Sequence, residues 1–220
     1  ERAIHTKLYL HSLGNSNSAT GDGKLTLDLP TDEKEDTFIF DPKNPVPTIG
    51  GGLCCNPSFM APGAFDHSEI ETREDVLVYS TDPLEKPIEV TGPIKLNVFV
   101  CSTAKDTDFT AKLLDVEPCG YARNLTDGII RGRFRNTDHD ASFLNPGQIY
   151  QLEINLGATS NLFLKGHQIR LEISSSNFPR FDRNSNTGGE IGTEKTLVKA
   201  TQKIFHDKIS PSHIMLPVIK

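Results

Sequence analysis

The chain has 220 residues, long enough to bury a proper hydrophobic core as one all-β sandwich or two small domains. Hydrophobic residues make up 36% and charged residues 24%, the composition of a globular and not a disordered chain. A net charge of −6 argues against nucleic acid and anionic membranes as partners, since both need clustered Lys and Arg, and no apolar run approaches the roughly 20 residues that span a bilayer.

Taken in chain order, the signal is strand after strand. Leu25, Leu27 and Leu29 alternate with Thr26 and Asp28. Thr37–Phe40 and Val76–Tyr79 follow, then Ile94, Leu96, Val98 and Val100, which alternate with polar residues such as Lys95 and Asn97. Phe109–Val116 and Ile129–Phe134 come next, the basic cluster Arg131–Arg135 reading as the polar face of the second of these strands. Tyr150, Leu152, Ile154 and Leu156 alternate with Gln151, Glu153 and Asn155, as do Ile169, Leu171 and Ile173 with Arg170 and Glu172. Leu197–Phe205 and Ile214–Ile219 complete the set. A period of two marks strands with one face on a core. Turns are expected at Thr20-Gly21-Asp22-Gly23, Thr91-Gly92-Pro93, Pro118-Cys119-Gly120, Asp127-Gly128 and Asn145-Pro146-Gly147. No segment carries a sustained helical stripe, and a short helical turn is expected only near Asn161–Leu164. The pattern predicts an antiparallel jelly-roll sandwich.

One stretch differs. Residues 41–67 carry Asp41-Pro42, Asn44-Pro45-Val46-Pro47, Gly50-Gly51-Gly52, Asn56-Pro57 and Ala61-Pro62-Gly63. Proline lacks the N–H that a ladder needs, so the segment reads as a long ordered excursion. Loops of this size are uncommon unless functional or packed against something, and a neighbouring domain would supply that something.

The four cysteines, Cys54, Cys55, Cys101 and Cys119, match no zinc spacing. Read as mostly reduced thiols, with Cys101 buried in a strand, they point to the cytoplasm. There is no signal peptide, and a first residue of Glu1 suggests a fragment or a chain processed upstream.

Chemistry-bearing motifs are scarce. A nucleophile elbow needs G-x-S-x-G, and the nearest match, Gly14-Asn15-Ser16-Asn17-Ser18, lacks the second Gly, so Ser16 reads as part of a polar turn. None of the seven histidines forms H-E-x-x-H or H-x-H. Asp138-His139-Asp140 reads as a solvated loop, and Asp106-Thr107-Asp108 as caps on a turn, since the Gly and distant Glu of an EF-hand loop are missing. Asn124-Leu125-Thr126 fits a glycosylation acceptor by spacing alone. With no Trp and four Tyr, the case for sugar-stacking platforms is weak, although Tyr121 and Phe181 are candidates for exposed rings. No catalytic residue, cofactor or metal ligand is assigned.

Ordered segments across nearly the whole chain carry a family resemblance. They include Leu10-His11-Ser12, Asp36-Thr37-Phe38-Ile39-Phe40-Asp41-Pro42, Pro45-Val46-Pro47-Thr48 with Gly50-Gly51, and Arg73-Glu74-Asp75-Val76-Leu77-Val78-Tyr79. Later come Thr91-Gly92-Pro93-Ile94, Asp106-Thr107-Asp108-Phe109, Lys112-Leu113-Leu114-Asp115-Val116, Gly166-His167-Gln168-Ile169-Arg170 and Ser176-Asn177-Phe178-Pro179-Arg180. The set resembles the C-terminal, non-catalytic domain of the X-Pro dipeptidyl-peptidase and cocaine-esterase-like serine hydrolases. Cys119 departs from the pattern, standing in a turn where the family often has Asp.

The resemblance implies one galactose-binding-like jelly-roll domain over 1–220. It also implies a partner, an upstream α/β-hydrolase domain that holds the Ser, Asp and His of a dipeptidyl-peptidase, esterase or acylase. On this reading the excursion and the loop 177–189 pack on the hydrolase domain and shape one wall of its substrate cleft, with Asp41, Asn44, Asn177, Arg180, Asp182 and Arg183 as candidates for the interface. A free-standing carbohydrate- or ligand-binding module is the alternative, and a homo-oligomer stays open.

Overall fold

The structure is a computed structural model, and it describes residues 3–54, 57–58, 60–136 and 140–220. Among the described residues eleven strands form: β1 (Ala3–His11), β2 (Lys24–Thr26), β3 (Asp36–Phe40), β4 (Leu77–Ser80), β5 (Ile88–Ser102), β6 (Asp108–Val116), β7 (Ala122–Arg131), β8 (Tyr150–Phe163), β9 (Gln168–Ser174), β10 (Ala200–Phe205) and β11 (His213–Ile219). One ladder path runs β3-β10-β5-β11-β1-β2-β4-β9-β6-β7, with β8 on the other edge of β5. The pairings of these strands are antiparallel except for the single bridge Lys24↔Ser80 between β2 and β4.

The path folds over itself. Val90, Ile94, Leu96 and Val98 of β5 and Leu152, Ile154 and Leu156 of β8 share one core with Leu77 and Tyr79 of β4, Phe109, Ala111 and Leu113 of β6, and Ile169, Leu171 and Ile173 of β9. Two layers thus meet through the apolar faces that the alternation predicts, and the all-β sandwich expected from the sequence is the observed architecture. At the far end of the path β7 returns to lie against β8, where Thr126 Oγ1 donates to the Leu156 carbonyl.

Several local expectations are corrected. Asp127-Gly128 is not a turn but the middle of β7; Gly stands there because β8 crosses so closely that a Cβ would lie 2.2 Å from the Asn155 carbonyl oxygen. Thr91-Gly92-Pro93 lies inside β5, where the ladder with β8 is irregular at Pro93 and Gly92 takes φ +136°, a conformation suited to Gly. Ile129–Phe134 leaves the strand at Arg131 and tightens into a 3-10 turn over Gly132–Phe134, because Gly132 N–H bonds the Thr107 carbonyl. Asn161–Leu164 is not a helical turn, since β8 pairs with β5 as far as Phe163. Leu27 and Leu29 lie beyond β2 and are exposed. The first strand, Ala3–His11, lacks a sustained alternation, since Ala3 and Ile4 are adjacent and His5, Thr6 and Lys7 follow; only Leu8 and Leu10 are buried.

All nine residues of β6 are buried, so both its faces are covered. The inner face meets the core, and the excursion lies across the outer face of β4, β9, β6 and β7. Val46 and Ile70 form a small apolar cluster with Val76 and Val78, with Ile49 packed on it. Pro47 bridges Phe178, Gly51 bridges Gly63, and Asp66 bridges Arg123 of β7. The proline-rich segment therefore packs on its own sandwich rather than requiring a neighbour for its inner side. Its outer side is open, with residues 61–65 all exposed.

Candidate functional site

The six candidate residues fall into three neighbouring places. Asn177 and Arg180 meet beneath the tip of the excursion. Arg180 Nη1 donates to Asp127 Oδ2 at 2.7 Å, and Asn177 Nδ2 reaches the same oxygen at 3.1 Å. Gly51, at φ +98°, sits directly on this pair, since a Cβ there would be 2.8 Å from Arg180 Nη1. The loop after β9 also runs along the excursion: Phe178 N–H bonds the Val46 carbonyl, Thr48 N–H bonds the Phe178 carbonyl, and Val46 N–H bonds Ser176 Oγ.

Asp182 and Arg183 line a cleft of about 450 Å³ with Arg131, Phe178, Ile191 and Lys195. Arg183 donates to the Pro42 carbonyl at 3.1 Å and lies over the Phe178 ring. Asp182 accepts from Arg131 at 3.0 Å, and Arg131 also holds Asp108 through Nε and Nη2 at 2.8 and 2.9 Å. Behind them Asp106 pairs with Arg133 at 2.8 Å, and Asn184 Nδ2 donates to both Asp106 and Asp108. Burial pushes Asp108 above the usual carboxylate range despite Arg131 and Asn184, while the hydrogen bond to Asp108 holds Arg131 above its own ordinary value. Asp106 and Asp108 are thus buried anchors for two arginines rather than caps on a turn, and the basic cluster is partly internal, with Arg133 buried.

Asp41 and Asn44 border a second groove of about 670 Å³ with Thr37, Ile39, Arg73 and Lys199. Asn44 N–H bonds the Asp41 carbonyl, the Asp41 carboxylate pairs with Lys199 at 3.0 Å, and Arg73 Nη2 donates to the Asn44 carbonyl. The backbone N–H of Lys43, followed by Lys199, holds the Asp41 carboxyl below its usual range. Asp127 and Arg131 organise the loop after β9, and their sequence readings as a turn residue and a strand's polar face do not indicate the pairs they make with Arg180 and Asp182.

The remaining motifs resolve as structure. Ser16 is fully buried, and Asn124 is buried with its side chain engaged by Phe65 N–H and the Ile49 carbonyl, which removes it as a glycosylation acceptor. His139 and Asp138 lie outside the described residues. Tyr121 and Phe181 are half-buried, each with a guanidinium, of Arg123 and Arg180, over its ring. Cys101 and Cys119 are free thiols, whereas Cys54 is disulfide-bonded, so the reduced reading holds for only part of the set. Among the described residues no helix is long and apolar enough to cross a membrane.

The fold and this polar face define the class of protein. Residues 2–215 match the model of the X-Pro dipeptidyl-peptidase C-terminal non-catalytic domain, and the chain belongs to that family. It is 46% identical over 218 residues to a cocaine esterase from Rhodococcus sp. (strain MB1 Bresler), an alignment covering 98% of this chain and 38% of the esterase. Among solved structures it is similar to an aminopeptidase from a marine sediment Thaumarchaeota archaeon, with a TM-score of 0.86 and 28% identity over 99% of this chain and 37% of that one. An α-amino acid ester hydrolase matches with a TM-score of 0.85 and 26% identity over 97% of this chain and 36% of that one. The chain therefore spans less than two-fifths of the length of each of these relatives.

Proposed function

We propose that residues 1–220 are the accessory C-terminal domain of a serine hydrolase. Its catalytic α/β-hydrolase domain would lie upstream, and this domain would pack on it and shape one wall of the substrate cleft. The parent reaction would be acyl transfer from an ester, peptide or amide to water through a seryl intermediate. One observation carries the reading: the loop after β9 is pinned to β7 by the part-buried Arg180–Asp127 pair and bonded to the excursion at Val46 and Thr48, yet residues 61–65, Phe178 and Ile191 are left exposed. Rigid support under an exposed loop surface suits a wall that another domain completes.

The test is the full-length protein with Arg180→Ala and Arg183→Ala. The reading expects a raised KM or lowered kcat together with a lower melting temperature. Unchanged kinetics with unchanged stability would remove these residues from the interface. Free thiols at Cys101 and Cys119 support a cytoplasmic location, and the disulfide at Cys54 weighs the other way.

A further inference from the structure

Beneath the excursion lies a cluster of five ionisable side chains that the proposed interface does not use. His67 and Glu71 come from the excursion and its 3-10 turn at Ile70–Thr72. Lys112 comes from β6, and Arg170 and Glu172 from β9. His67, Glu71, Lys112 and Glu172 are each no more than 3% exposed. His67 Nδ1 lies 3.2 and 3.3 Å from the two Glu172 oxygens, and its Nε2 lies 2.9 Å from the Ile49 carbonyl. Glu71 Oε2 accepts from Arg170, whose Nε also donates to Ser80, and Lys112 Nζ stands 3.6 Å from Glu172. The half-buried Asp66 is the other carboxylate beside His67 in sequence, held by Ala122 N–H and Ser68.

Hydrogen bonding in this cluster is incomplete: Lys112 Nζ is buried without a hydrogen-bond partner, and both ring nitrogens of His67 face oxygen acceptors. Glu71 Oε1 is buried with no hydrogen-bond partner, and an ionised carboxylate is costly to leave in that state where a neutral acid is much less so. We propose that the excursion is fastened to the sandwich by a proton-linked latch: seating His67 and Glu71 against Lys112, Arg170 and Glu172 takes up a proton, so the excursion is held more tightly at mildly acidic pH than at alkaline pH. Burial, and after it the charge of Glu172, supports this by pushing Glu71 up to about 7 in spite of Arg170. Glu172 goes the other way, since Lys112 and His67 outweigh its burial. If the excursion also forms a wall of a substrate cleft, as in the reading above, the latch gives that wall a pH dependence. The latch itself does not depend on that reading.

Hydrogen exchange on the full chain tests it, with protection factors taken for peptides over 60–72 and corrected for the intrinsic pH dependence. An undocked Glu71 returns to the ordinary glutamate range, so protection is expected to be about tenfold higher at pH 6 than at pH 8. Amides of β5 serve as the reference. Glu71→Gln, a mimic of the protonated acid, is expected to keep high protection at pH 8. Equal wild-type protection at the two pH values, or a Glu71→Gln variant with the wild-type pH dependence, would overturn the proposal. Should that variant not fold, carboxyl ¹³C NMR of the wild type decides. A glutamate titrating near neutrality supports the latch, and glutamates all titrating in the ordinary range refute it.

Discussion

Arg180 Nη1 lies 2.7 Å from Asp127 Oδ2, and this contact ties the loop after β9 to the middle of β7. The tip of the excursion rests on it through Gly51. Both side chains are largely sheltered from water, so the pair is screened less than a surface ion pair. Arg180→Ala leaves Asp127 with only Asn177 and is expected to cost about 1.5–3 kcal/mol in chemical denaturation. Its effect on exchange should concentrate at residues 48–53 and 63–66, while the amides of β5 and β8 keep their protection.

A second buried centre sets a pH dependence. Asp36 accepts Ser12 Oγ and Ser16 N–H on one oxygen, and Tyr79 OH and His206 Nε2, at 2.7 and 2.8 Å, on the other. Burial alone would raise Asp36, but His206, Ser16 and Tyr79 together hold it below its usual value. Burial would lower His206, and Asp36 raises it overall. The depressed carboxyl contributes stability present above its unfolded value and lost as pH falls through the lower folded one. The raised imidazole contributes stability fully present below about 6.5 and lost as pH rises through its folded value. Glu71, raised in the fold, likewise favours the folded state as pH drops from about 7 toward the ordinary glutamate range. Equilibrium denaturation is therefore expected to show maximal stability on the mildly acidic side of neutrality. His206→Gln should flatten the decline above pH 6.5, and Asp36→Asn should cost about 3–5 kcal/mol because it breaks a buried charged pair.

Close approach of β7 to β8 gives a third prediction. Gly128→Ala places a methyl group 2.2 Å from the Asn155 carbonyl oxygen, so backbone has to move, at a cost of about 1–3 kcal/mol or more. Gly120→Ala is the comparison. Its Cβ meets nothing, and φ +92° alone costs about 1–2 kcal/mol. The two variants should also differ in kind, Gly128→Ala loosening exchange across β7 and β8 and Gly120→Ala only around its turn.

The sequence discloses the sandwich better than its surface. Alternation at Leu152, Ile154 and Leu156 marks β8 because one face of that strand meets the core and the other meets solvent. The same alternation at Leu25, Leu27 and Leu29 misleads, since periodicity records spacing and not whether a facing layer exists. Gly92 and Gly128 look like turn residues because a close crossing and a tight turn both select glycine, and only the partner strand tells them apart. The polar face is harder still. His67 and Glu172 are 105 positions apart and meet only because the excursion folds back over β9. Asp41 and Asn44 border one groove, Asp182 and Arg183 another, and Asn177 and Arg180 meet at Asp127, but the turn and strand-face readings of Asp127 and Arg131 do not foretell the pairs that hold Arg180 and Asp182.

The most direct test of the account compares hydrogen exchange of this chain alone with the same residues in the full-length protein. If the domain packs on an upstream hydrolase domain through its excursion and adjoining loop, peptides covering 41–67 and 177–189 gain protection in the full-length protein, while those covering the exposed Leu27 and Ile209, outside both segments, do not. Unchanged exchange over 41–67 and 177–189, or protection confined to peptides outside both segments, would contradict it.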